Sequence, residues 1–169
     1  MNKFQKVVAR LLLGSASVEL PLATTAGIAE ASTPNCVAAP APGVNWSGCT
    51  ILIHLSGRNL TGAIFSSQTD LTGANFSGVT LKSATLYNVN VTRANFSHAN
   101  LDLAMLIDAN ATSANFTSAT LTHVNMQGTK LIHANLNGSN MTGARTTGAD
   151  FTGATCPNGR IHKTSGANR

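Results

Sequence analysis

The sequence predicts a repeat solenoid whose chain turns a corner every five residues, and three observations carry that prediction. From Leu71 onward a large or apolar residue recurs at every fifth position through 18 units, from Leu71, Phe76, Leu81 and Leu86 to Phe151 and Cys156, with Thr146 the one frankly polar member. Two places earlier in each unit the residue is small, as in Ala94, Ala114 and Ala134, and Asn often lies between the two, as in Ala94-Asn95-Phe96. Ala, Thr, Asn and Ser make up 76 of the 169 residues, while only 10% are charged, against about 25% in an ordinary soluble domain. Such bias marks either a repeat or disorder, and a chain 43% apolar with a net charge of only +5 is poorly suited to disorder.

A period of five fits neither the 3.6 of a helix nor the 2 of a flat strand, so neither element keeps these residues on one side. A coil that bends every five residues does. The chain is long enough for one such domain and little more.

These units resemble the A(D/N)Lxx motif of the pentapeptide repeat proteins over about residues 50–158. The resemblance implies an all-β fold, a right-handed quadrilateral β-helix of about five coils. Four units then make a coil, and residues 20 apart stack at roughly 4.8 Å. One interior column is expected to hold Phe76, Phe96, Phe116, Leu136 and Cys156, with the phenylalanines stacked on one another and Asn75, Asn95, Asn115 and Asn135 alongside. Leu55, Leu60 and Phe65 form three more units displaced by one residue, since Phe65 to Leu71 spans six, and this predicts a bulge near the first coil.

The rest of the chain divides around the repeat. Residues 1–31 have the layout of a secretory signal: Lys3, Lys6 and Arg10, then the apolar Val7, Val8, Leu11, Leu12 and Leu13, and finally Ala29-Glu30-Ala31. Glu19 and Pro21 interrupt its apolar stretch, so a leader on a cytoplasmic protein is the alternative. No later segment approaches the ~20 apolar residues of a transmembrane helix. Residues 32–49, with Pro40, Pro42, Val44 and Trp46, supply a cap for the open front of the coil, and 159–169 form a basic flexible tail.

Of the three cysteines, Cys49 and Cys156 fall at opposite ends of the implied stack, about 20 Å or more apart at ~4.8 Å per coil and far beyond the ~7 Å Cα limit of a disulfide. Cys36 with Cys49 is the plausible internal bridge. The stretch Val44-Asn45-Trp46-Ser47-Gly48-Cys49 and the ending Cys156-Pro157-Asn158-Gly159 resemble exported bacterial members of the family, in which a terminal cysteine can have a downstream partner. None follows here, so Cys156 is a buried free thiol or half of an intermolecular bond.

No enzyme is predicted, and no cofactor, small-molecule substrate or metal. His98, His123 and His133 share the last position of their units but not a stacking column, and no metal-ligand spacing appears. Asp70, Asp102, Asp108 and Asp150 are scattered on outward positions with no carboxylate partner evident, and no Ser, His and Asp set is suggested. The Asn-x-Ser/Thr sequons are what a repeat of Asn, apolar, Ser/Thr generates.

Some pentapeptide repeat proteins mimic DNA and bind type II topoisomerases, giving quinolone resistance. Such mimicry needs a strongly negative surface, whereas residues 50–158 carry five Lys and Arg against four Asp. Direct nucleic-acid binding is disfavoured because the positive charge is dilute. An ordered Thr column (Thr72, Thr92, Thr112, Thr152) that could organise water is broken by Ile132 and flanked by Lys130 and Asp150. What remains is a secreted or cell-envelope structural or protein-interaction scaffold, with topoisomerase inhibition or protection as the alternative. Neither its partner nor its oligomeric state is named by the sequence. A possible interaction patch is Tyr87 and Ile107 on one outward column, with Leu103 and Met105 beside them.

Overall fold

A computed structural model describes residues 38–49, 55–67 and 69–161. The expected leader, Cys36 and residues 162–169 lie outside these.

The five-residue unit is built from its own chemistry. In Ala94–His98, Ala94 and Phe96 point inward and are buried, Asn95 lies between them, and Ser97-His98 make the corner. The corner closes with Ala99 N donating to Phe96 O at 3.0 Å, while His98 sits at φ 57°. A turn with φ > 0 at its third residue only is of type II, a conformation that favours Gly and costs most other residues about 1–2 kcal/mol. Arg93, Leu103 and His133 nonetheless occupy it, at φ 58°, 60° and 56°, because the coil above and below fixes the corner. The Asn supports it too, since Asn95 Oδ1 accepts the Ser97 N–H at 3.1 Å, the local bond for which Asn is favoured in turns.

Units join coil to coil through the backbone. Phe96 N donates to Asn115 O at 2.7 Å, His98 N to Thr117 O at 2.9 Å, and Asn95 N to Ala74 O at 2.9 Å. Parallel bridges accordingly link residues 20 apart from Asp70 onward, and 19 or 21 apart before it, in four columns, which define four sides. Side 1 carries Asp70, Asn90, Asn110, Lys130 and Asp150; side 2 carries Asn75, Asn95, Asn115, Asn135 and Thr155. Side 3 runs through Asn59, Thr80, Asn100, Thr120 and Asn140, and side 4 through Asn45, Ile64, Thr85, Met105, Asn125 and Arg145.

The register shift falls where the sequence places it. Asn59 pairs with Thr80 and Ile64 with Thr85, 21 residues on, whereas from Asp70–Asn90 the step is 20. The extra residue is absorbed ahead of Thr69, which is buried in the small inward position. Its hydroxyl donates to Ser66 O at 2.8 Å and accepts the Gly48 N–H at 2.9 Å, tying the bulge to the coil in front.

Both ends differ from expectation. Val44–Gly48, in the segment expected only to cap the front, already forms a unit: Asn45 pairs with Ile64, and Trp46 is buried in the large position. The coil therefore begins before residue 50. At the far end, the tail expected from residue 159 first turns back at Gly159. Cys156 N donates to Arg160 O at 2.6 Å and Thr155 bridges Ile161 in antiparallel fashion.

Inside, the aromatic column forms as expected. Phe76 and Phe96 stack at 4.9 Å and 2°, Phe96 and Phe116 at 5.0 Å and 4°, each pair contributing roughly 0.5–1.5 kcal/mol beyond burial. Phe65 meets Phe76 edge-on at 6.0 Å, and Trp46 packs on Phe65 at 5.7 Å. Beside the rings, Asn95 Nδ2 donates to Asn75 Oδ1 at 3.4 Å and Asn115 Nδ2 to Asn95 Oδ1 at 3.2 Å.

Phe96, with a ring on either side, should be the most sensitive of these positions. Phe96→Ala is expected to cost about 3–5 kcal/mol in urea unfolding, and Phe96→Leu clearly less. A loss below about 1 kcal/mol for the alanine variant would contradict a continuous aromatic core.

Candidate functional site: an apolar patch on side 4

Tyr87 and Ile107 follow the inward Leu86 and Leu106 on adjacent coils of side 4, where Asn88 N donates to Ile107 O at 2.9 Å. Met105 holds the bridge position between Thr85 and Asn125. Leu103 occupies the left-handed corner leading into side 4. Tyr87 is 44% exposed, Leu103 49% and Met105 41%, with Ile107 half-buried. Among the described residues the one other exposed large hydrophobic is Ile161. All four candidate residues thus lie on two neighbouring coils.

An ionic cluster adjoins the patch through the side-3 residue Asp102. Its Oδ1 accepts the Thr122 hydroxyl at 2.6 Å, Lys82 Nζ lies 3.2 Å from Oδ2, and His123 Nδ1 lies 3.5 Å from Oδ1. The Thr122 hydrogen bond above all, then Lys82 and His123, lower the Asp102 pKa against the opposing effect of desolvation. The column Lys82, Asp102, Thr122 was legible from the 20-residue step. His123 was not, because it comes in diagonally from the corner beyond Thr122.

The remaining histidines stay apart. His98 and His133 are exposed corner residues, and His54 and His162 lie outside the described residues. No group of three or more His, Cys, Asp or Glu that could hold a metal occurs among the described residues. On side 1 the Thr72, Thr92 and Thr112 hydroxyls donate to Asp70, Asn90 and Asn110 Oδ1 at 2.6, 2.6 and 2.7 Å, so their protons are committed within the unit. Cys49 is disulfide-bonded and Cys156 is a free, half-buried thiol; the partner expected for Cys49, Cys36, lies outside the described residues. No helix among the described residues is long and apolar enough to cross a membrane.

Two family descriptions match this coil: "Pentapeptide repeat region" over residues 58–136, and "Pentapeptide repeats (8 copies)" over 119–155 and 129–162. The chain belongs to the pentapeptide repeat proteins. Among solved structures it is similar to the pentapeptide repeat protein Rfr23 of the cyanobacterium Cyanothece 51142, at 32% identity over 54% of this chain and 58% of that one, with a TM-score of 0.46. It is similar also to a pentapeptide repeat protein of the Arabidopsis thaliana thylakoid lumen, at 28% identity over 67% and 65%, TM-score 0.28. A third likeness is to QnrB1, a plasmid-mediated fluoroquinolone resistance protein, at 23% identity over 67% and 63%, TM-score 0.42. The matches thus span less than two thirds of each of these proteins. No protein of curated function matches the chain.

Two variants test this corner. Gly143 has φ +71°, and a Cβ there would lie 2.6 Å from His123 Cδ2. Gly143→Ala is expected to destabilise by about 1–2 kcal/mol from backbone strain plus the clash, and His123→Ala should restore only the clash component; full restoration would show that the backbone carries no strain.

Asp102, with its pKa depressed in the folded chain, contributes stability that is present above the unfolded carboxylate pKa and lost as pH falls through the folded value. The gap in melting temperature between the native chain and Asp102→Asn should therefore be widest near neutral pH and close in acid. A gap independent of pH would refute the ionic contribution.

Proposed function

We infer that this protein is an exported, non-enzymatic scaffold, a right-handed quadrilateral rod of about five coils that presents a protein-binding surface on side 4. The observation that carries the reading is the gathering of Tyr87, Leu103, Met105 and Ile107 on a surface otherwise mostly polar, beside the Lys82–Asp102–His123 cluster. Exposed apolar groups in contact across coils mark interaction sites more often than scattered ones do. Export is supported by the layout of residues 1–31 and by the disulfide at Cys49, a bond that persists in oxidising compartments; Cys36 is its proposed partner. A topoisomerase-binding DNA mimic is disfavoured by five Lys and Arg against four Asp over residues 50–158.

Two measurements test this. Changing Tyr87 and Ile107 together to Ser should abolish recovery of a partner from the secreted fraction while leaving the melting temperature unchanged, and undiminished recovery would remove side 4 from consideration. Amino-terminal sequencing of the protein from its producing cell should begin after Ala31; an intact leader on the functional protein would sink export.

A further inference from the structure

The large inward position changes its chemistry in the last coil. From Leu71 to Leu136 it holds Leu, Phe, Val, Ala and a single sulfur, at the buried Met126. The next four units place Met141, Thr146, Phe151 and Cys156 there, so two sulfurs and a hydroxyl enter a core that is otherwise almost wholly hydrocarbon. All four line one cavity of about 360 Å³, with Leu136 and Pro157 beside them. Met141 is partly buried against the core, and Cys156 is half-buried with a free thiol.

We propose that Met141 and Cys156 form a two-sulfur site for a soft monovalent cation of the copper(I) class. The register brings them together. Met141 follows Asn140 as the large inward residue of side 3, and Cys156 stacks over Leu136 on side 2, the adjoining side; both face the same cavity. Their backbones and side chains divide the work of fitting an ion. Cys156 is held in place, its N–H donating to Arg160 O at 2.6 Å and its carbonyl accepting the Gly159 N–H at 2.9 Å, while Pro157 O accepts the Gly138 N–H at 2.8 Å. Met141 has an unbranched side chain with three rotatable bonds, which lets its thioether adjust to a fixed thiol.

The donors select the ion. Thiolate and thioether ligands favour soft copper(I) over hard cations, and the thiol binds by giving up its proton, so one ion enters for each proton released. A thiolate with a monovalent cation is neutral overall, which suits the apolar lining of Leu136, Phe151 and Pro157, whereas a divalent ion would leave a net charge there. Structural zinc takes four N, S or O ligands, and no group of three or more His, Cys, Asp or Glu stands together among the described residues. Calcium and magnesium need several oxygens, of which the lining side chains offer the Thr146 hydroxyl alone. The spacing of His, Cys and carboxylates does not announce such a site, because Met is half of it.

The test is titration of the purified chain with silver(I), a redox-inert stand-in for copper(I), in chloride-free buffer. One ion should bind per chain with release of one proton, and the Met141 methyl carbon resonance should shift while that of Met126 stays in place. Loss of an outer-shell partner already costs roughly tenfold or more in metal affinity, so Met141→Leu, which conserves volume, should weaken binding at least that much with an unchanged circular dichroism spectrum. Cys156→Ser should abolish binding, Met126→Leu should leave it as in the native chain, and zinc(II) should not move the Met141 resonance. Silver held as tightly by Met141→Leu as by the native chain, or an unshifted Met141 methyl in the native chain, would mean a thiol acting alone and overturns the proposal; one ion held between two chains does the same. The methyl shift is read on the native chain, so the outcome stands even if a variant folds poorly.

Discussion

Every coil is held by hydrogen bonds to the coil above and the coil below, and the rest of the structure follows from that ladder. Its rungs fix the distance between stacked residues, so the inward positions cannot adjust independently: Phe76, Phe96 and Phe116 lie 4.9 and 5.0 Å apart because the backbone spacing of roughly 4.8 Å leaves no other arrangement. The same rungs force a corner every five residues with φ > 0 at its last position, and the ladder holds His98, Leu103 and His133 in a conformation they would not adopt alone. A unit detached from its neighbours would lose both its hydrogen bonds and its buried face, so stability is a property of adjacent coils.

That dependence explains why so much of the fold was legible. A residue's environment is set by its place within the unit and by its neighbours 20 residues away, both of which can be counted along the chain. The aromatic column, the side-4 patch and the displaced register at Phe65–Leu71 all follow from counting. Counting fails where a contact leaves the column. His123 reaches Asp102 on a diagonal, which depends on a side-chain rotamer rather than on register. The early start of the coil is obscured in the sequence for a different reason: Val44-Asn45-Trp46-Ser47-Gly48 fits the unit, but Pro40 and Pro42 just ahead of it have the composition of a cap. The fold-back of Arg160-Ile161 has no repeat to announce it, and rests on Gly159 turning the chain beyond Pro157.

The two ends of the rod show what the ladder leaves unsolved. At the front, Trp46 fills the large inward position and packs against Phe65, while Cys49 is both buried and disulfide-bonded. Bulk and a covalent link there replace the missing coil. At the far end, among the described residues, the turned-back Arg160-Ile161 covers side 2, and the large inward residues are Met141, Thr146, Phe151 and Cys156, more polar and less bulky as a set than Leu121, Met126, Leu131 and Leu136 one coil earlier.

The ladder also constrains charge. Stacked side chains meet at each rung, so like charges in a column would repel along the whole rod. Among the described residues, the charged neighbours within a column are Lys82 with Asp102 and Lys130 with Asp150, opposite in sign in both cases. Elsewhere Asn, Thr and Ser fill the outward positions and satisfy the corners through local hydrogen bonds. A surface assembled in this way is close to neutral, and it cannot present the dense negative charge by which a protein would imitate a nucleic acid. Recognition by such a rod has to come from the few places where the polar pattern is broken, and on its sides the largest of these is the patch around Tyr87 and Met105.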